Sequence, residues 1–268
     1  MMKSFPAFGI LLASRAQSQA LLSLLQENSG LPGPRANLEL AYSFARAAAS
    51  LNLQEWQWDL VLGMAGTSPT KAPANTPKEF LPVCGLVALG ALYAEGLPRP
   101  RRRAALAAIR RAASDPRWRT RESAAMALQL IGEKDLDALQ EIVEQWLPEA
   151  SLLERRAIIA GLAHPPILGD AQFALFSLGV SRTIVRELSR QGAEARRGED
   201  FRVLRQGLGY ALSVFAEKSP EEGFALLREM ASKGDPDLAW IVRENLKKKR
   251  LTGKYAAQVE AVGTLLAR

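Results

Sequence analysis

A single cysteine and a single histidine limit the chemistry open to this 268-residue chain. One thiol, Cys84, excludes an internal disulfide and any thiolate cluster. With His164 as the only imidazole, a zinc site or a Cys-His or Ser-His-Asp arrangement has very little material to draw on. Neither a metal nor a cofactor is expected. Cys84 lies in the apolar run 80–92 and reads as a buried structural thiol. His164 precedes Pro165-Pro166 and reads as a cap on the last carbonyls of a helix.

Other absences narrow the field further. No apolar run is read as approaching the ~18–20 residues that span a bilayer, so no membrane partner is expected and the expected location is cytoplasmic. The start, Met1-Met2-Lys3 followed by residues 5–13, has the outline of a signal peptide. It is short, contains Pro6 and lacks a small-x-small cleavage site before Arg15, so a first packed helix is the expectation. No stretch alternates apolar and polar residues with β-branched enrichment, which argues against a sheet. Gly85-x-x-x-x-Gly90 is not followed by the Lys-Ser/Thr pair of a phosphate loop.

What is present reads as helix almost throughout. Thr76–Glu79, Ser151–Glu154 and Ser219–Glu222 each fit a capping box, with an acid at the third helical position. Helices are expected over 15–28, 35–51, 54–64, 78–96, 101–114, 117–132, 136–147, 152–163, 170–191, 199–217, 220–233, 237–250 and 254–267. The longest connection, 65–76, is rich in Ser, Thr, Pro and Ala and reads as an exposed loop, with 192–198 as a smaller one.

Charge is unevenly placed along the chain. Residues 1–98 hold six basic and six acidic side chains, so the net charge of +7 lies wholly in 99–268. Within 99–121 nine arginines face one acid, Asp115, whereas from Glu122 to Glu154 Lys134 alone faces eight acids. Such asymmetry favours an oriented, anion-facing surface.

The order of the chain turns on 115–132, DPRWRTRESAAMALQLIG. Asp115 suits a helix N-cap and Pro116 the first helical position. Its Trp-x-x-Arg-Glu core, at Trp118–Glu122, returns at Trp240–Glu244, 122 positions on and about three units of 40. Arg121, Arg156, Arg205 and Arg243 mark a register near 40, and Ala124, Ala125, Ala127, Ala160 and Gly209 permit close helix approach. Each helical pair then buries its apolar face on the next. The expectation is an all-α, right-handed solenoid of about six helical pairs, one repeat domain over 1–268.

Asp-Pro-x-Trp-x-x-Arg-Glu-x-Ala-Ala-x-Ala-Leu at 115–128 resembles the second helix of a HEAT repeat. It is similar in particular to the HEAT-like repeats of the bacterial alkylpurine DNA glycosylases of DNA alkylation repair. The likeness covers about 99–165 and 235–250. It implies a concave solenoid holding duplex DNA on basic second helices. That family's catalytic Trp-Asp-Leu-Val-Asp is matched by Trp58-Asp59-Leu60-Val61 in four positions, and the fifth is Leu62. The resemblance therefore implies a divergent, non-catalytic member, with Trp58 and Asp59 as the residues on which any retained activity would rest.

Candidate nucleic-acid contacts are Arg103, Arg110 and Arg117 from the arginine-rich stretch, Arg155 and Arg202 beside the register, and Lys247-Lys248 in the run 247–250. The last are placed on the final turns of a helix. Trp118, Arg121, Arg156, Arg205, Trp240 and Arg243 are expected to be structural repeat positions, both tryptophans packing between repeats. Trp56 and Trp58 flank Gln57 and point to different helix faces, so one can be buried while the other lines a groove. The favoured function is non-catalytic binding of nucleic acid, duplex DNA in particular, through a basic concave face. A scaffold gripping an acidic protein segment and a DNA glycosylase for alkylated bases are the alternatives.

Overall fold

The computed structural model describes residues 8–266. No strand occurs among them, and the protein is all-α. Contacts divide the chain into two compact units, one ending at Leu139 and one beginning at Gln140.

The first unit comprises α1 (Phe8–Leu12), α2 (Ser18–Glu27), α3 (Leu38–Ala49), α4 (Glu55–Ala65), α5 (Phe80–Ala94), α6 (Arg99–Ala112) and α7 (Trp118–Lys134). The division falls inside α8 (Leu136–Trp146). The helix α5 is the axis of this unit, packing on α7, α3, α4, α6 and α2. Its sequence, FLPVCGLVALGALYA, is apolar all round, as a helix enclosed on every side must be. The window Pro77–Ala94 is long and apolar enough to cross a membrane, with mean hydropathy 1.2, contrary to the expectation that no run reaches that length. It is 72% buried, as the core helix of the unit.

Two glycines let α5 sit so deeply. A Cβ on Gly85 would lie 2.3 Å from the Ala65 backbone nitrogen of α4, and one on Gly90 would lie 2.6 Å from Ala127 Cα of α7. The pair that fails as a phosphate loop therefore marks two helix crossings. Cys84 between them is buried, and burial pushes its thiol pKa well up.

The second unit contains α9 (Leu152–Leu162), α10 (Ala171–Ser189), α11 (Ala193–Arg197), α12 (Glu199–Lys218), α13 (Pro220–Ala231), α14 (Pro236–Leu246), α15 (Lys249–Thr252) and α16 (Ala256–Leu265). Here α12 is central, with α9, α14, α13 and α10 against it. Asn245, fully buried on α14, ties two helices together: its amide donates to Leu208 O at 2.9 Å and accepts from Ser213 N at 2.7 Å.

Every expected helix forms, with four departures in detail. The span 237–250 divides, because α14 ends at Leu246 and Lys248 is extended before α15. Residues 193–197, expected in a loop, form α11. Of the three expected capping boxes only Ser151–Glu154 closes reciprocally; Thr76 and Ser219 make no side-chain cap. Asp235 caps α14 as its sequence suggests, whereas α7 starts at Trp118 and Asp115 instead binds Arg117. The signal-like segment lies largely on residues 1–7, outside the described residues, and its remainder forms α1.

Candidate nucleic-acid interface

In the first unit, α6 reads RPRRRAALAAIRRA, so its charges fall at both ends and its middle is small and apolar. Ala105, Ala108, Ile109 and Ala112 are buried, which turns Arg99, Arg102, Arg103 and Arg111 to solvent. Arg103 and Arg111 lie eight residues apart, roughly 12 Å along the axis. Arg101 points inward: it pairs with Glu55 at 2.6 Å, donates to Leu53 O at 2.9 Å and lies 5.4 Å over the Trp58 ring. Arg102 covers Tyr93 at 5.3 Å. Arg110 is half-buried and engaged within the protein.

The arginines that follow are taken up by the fold. Arg117, expected to meet phosphate, is 3% exposed and pairs with Asp115 at 2.7 Å. It also donates to Ala72 O at 2.9 Å and Thr67 O at 2.8 Å, pinning the long 65–76 connection, most of whose residues are exposed as expected. Four of the five Arg117 N–H groups have acceptors within the protein, and its burial keeps the side chain out of reach of a phosphate. Arg119 reaches the fully buried Glu79 at 3.3 Å and Gly33 O at 2.6 Å. Arg121 folds back onto Asp115 O and Pro116 O at 2.8 and 3.0 Å, securing its own helix start.

In the second unit, the outward stripe of α12 is Arg202, Gln206 and Tyr210, at i, i+4 and i+8. Tyr210 is half-exposed, although it is large and aromatic. The break after α14 swings two cations onto it. Lys248 Nζ sits 5.5 Å and Arg250 Cζ 5.0 Å from the ring centroid, and Arg250 Nη2 donates to the Tyr210 hydroxyl at 3.0 Å. A helix continuing through 250, as the sequence suggests, would distribute these residues around its axis. The exposed Lys247 pairs with Glu244 at 2.5 Å, and Lys249 is exposed beside it. Arg202 is exposed, with Glu199 3.5 Å away on its own helix. Lys254 bonds Glu217, and that hydrogen bond holds the Glu217 carboxyl below the usual range against the opposing effect of burial.

Tyr210 was missed because one aromatic in a largely buried helix reads as core. The signal available was its register with Arg202 and Gln206. Arg155, by contrast, is buried, with Nε on Ala150 O at 2.9 Å, and offers no charge to a partner.

Of the repeat positions, Arg205 makes a bridge between helices: it pairs with Asp237 at 2.5 Å and covers Trp240 at 4.4 Å. Arg196 joins the same network through Asp235 and Asp237 at 2.7 and 2.9 Å. Hydrogen bonds from Arg196 are the main reason the Asp235 carboxyl is held below the usual range. Arg156 is half-buried against Gly207, and Arg243 is exposed. Trp118 is 52% exposed and does not pack as Trp240 does. It begins α7, where the tertiary fold lays nothing over its outer side.

Trp58 is 4% exposed and capped by Arg101, so its ring cannot stack on a base. Asp59 faces solvent on the next position of α4, and Trp56 is half-exposed with its indole N–H on Gln54. Among the described residues, no three His, Cys, Asp or Glu side chains are grouped to hold a metal ion. The fold and these surfaces thus define an all-helical protein with solvent-facing arginine and lysine clusters in each unit. Comparison with known proteins finds no family and no curated protein that matches the chain.

Proposed function

We propose that this protein is a non-catalytic, HEAT-like stack of helical pairs that binds nucleic acid, duplex DNA in particular. The observation that carries the reading is Tyr210, left half-exposed between Lys248 and Arg250. Aromatic rings beside cations suit a base or sugar next to its phosphate. The outward arginines of α6 supply the sequence-independent part, since guanidinium–phosphate pairs are charge-assisted and release counterions. The recurrence of Trp-x-x-Arg-Glu in α7 and α14, each packed against the central helix of its unit, supports the repeat reading.

Fluorescence anisotropy with a labelled duplex tests this. With about six phosphates engaged, log affinity falls with log salt at a slope near −5, roughly a thousandfold between 50 and 200 mM. Absence of binding at low salt, or a flat salt response, refutes it. A protein partner co-purifying with a chain that does not shift DNA selects the scaffold reading instead.

A further inference from the structure

A cavity in the first unit has no part in the nucleic-acid reading. It has a volume of about 250 Å³, and its walls include Leu38 of α3, Val83 of α5, and Trp118 and Met126 of α7, with Arg35 and Arg119 contributing the cations. Trp118 is 52% and Leu38 46% exposed, two of the few large apolar side chains left open to solvent, and both face this one hollow. Convergence of that kind marks a binding surface, where isolated exposed residues do not.

The second unit shows what a filled version of the same motif looks like. Trp240 has Arg205 4.4 Å over its ring, and a Cβ on Gly209 would sit 3.0 Å from the indole. Trp118 has Arg119 against it at 4.6 Å, a residue of its own helix, and from α5 only the short Val83 reaches the cavity wall. The space that a second helix's side chain occupies beside Trp240 is open beside Trp118.

The polar groups indicate what belongs there. Arg119 is 7% exposed, with Nη1 and Nη2 on Glu79 and Gly33 and Nε buried out of reach of the cavity, so its charge is used within the fold. Arg35 is exposed at the wall and makes no ion pair among the described residues. Ser123 also lines the cavity, but its hydroxyl donates to Arg119 O at 2.8 Å. The one acid on the wall, Glu122, has a partner within the protein.

We infer that this cavity is a binding site for a small aromatic monocarboxylate. The ring lies against Trp118, Leu38, Val83 and Met126, and the carboxylate pairs with Arg35 at the wall. A cavity of about 150 Å³ holds benzene, so this one admits one or two fused rings with a short acid arm.

Isothermal titration of the full chain with naphthalene-1-acetate, naphthalene-1-acetamide and 2-(1-naphthyl)ethylamine tests the assignment. The acetate is expected to bind about tenfold more tightly than the amide, the difference a charge-assisted pair makes, and the amine not at all. Trp118→Ala and Arg35→Gln alter exposed side chains and leave the core intact. The first is expected to abolish binding and the second to weaken the acetate about tenfold while leaving the amide unchanged. Protection of Cys84 from thiol reagents verifies that each variant is folded. Equal binding of acetate and amide, acetate binding that survives Trp118→Ala, or no heat at about 1 mM probe overturns the inference. Duplex DNA affinity reports separately on the other reading and is expected to be unchanged in Trp118→Ala.

Discussion

Gly90→Ala changes one hydrogen for a methyl at one of the two close helix crossings of the first unit, that of α5 on α7. The added Cβ would stand 2.6 Å from Ala127 Cα and 2.7 Å from Ala127 O, where ordinary contact begins at 3.4 Å. Both obstacles are backbone, so α5 and α7 must part by about 0.8 Å, and no side-chain rotation relieves the clash. Overpacking of this kind costs about 1–3 kcal/mol. Replacing a helical glycine returns about 0.5–1 kcal/mol, leaving a net loss of about 1–2 kcal/mol. Gly63→Ala is the matched control: it is exposed on α4 with nothing within 4 Å of the new methyl, so only the favourable part remains. Cys84, the sole thiol and fully buried in α5, reports the opening of this unit directly. Under native conditions its labelling by a thiol reagent is expected to be about 5–30-fold faster in Gly90→Ala and slower in Gly63→Ala. Labelling of Gly90→Ala at the wild-type rate would refute the claim that α5 and α7 touch through their backbones.

Three further outcomes follow from the same geometry. Arg117→Ala leaves Asp115 with only the backbone N–H of residue 117 and two loop carbonyls without their donor, and a loss of about 3–5 kcal/mol is expected in chemical denaturation, with the DNA affinity of the folded protein unchanged. Asp235 has a folded pKa below its unfolded one, so its stabilisation is complete above about pH 4 and lost as pH falls through the folded value. Circular dichroism on acidification should show the second unit weakening in that window, and Asp235→Asn should flatten the dependence. Arg102→Gln with Arg103→Gln removes two solvent-facing charges from α6, and the log–log salt slope of duplex binding is expected to become shallower by about two.

The helices and their approximate ends were legible in the sequence because they depend on local terms. Apolar spacing, Asp and Ser caps, and Pro at first positions act within a turn or two, and they located α3 to α10, α12 and α13 closely, and the start of α14. Burial of Cys84 in the apolar run 80–92 was legible too, since a segment apolar on every side must be surrounded. The arginines were not legible in the same way. Arg103 and Arg117 carry the same charge in the same stretch, yet one faces water and the other is 3% exposed beside Asp115 and the 65–76 carbonyls. What separates them is which backbone carbonyls lie within reach, and those belong to residues 45 and 50 positions away.

The same distinction applies to the aromatics. Trp118 and Trp240 share a motif, but a side chain is covered only if another helix delivers something to cover it, and α12 delivers Arg205 and Gly209 to Trp240. Tyr210 became a candidate contact because α14 stops at Leu246 and the chain turns back, placing Lys248 and Arg250 at its ring. Composition and periodicity determined that this protein is helical, where its charge is concentrated along the chain and that Cys84 is buried. Which cations remain for a partner, and where a cavity is left open, depends on long-range packing, because burial and hydrogen-bond satisfaction are properties of assembled surfaces and not of any single segment.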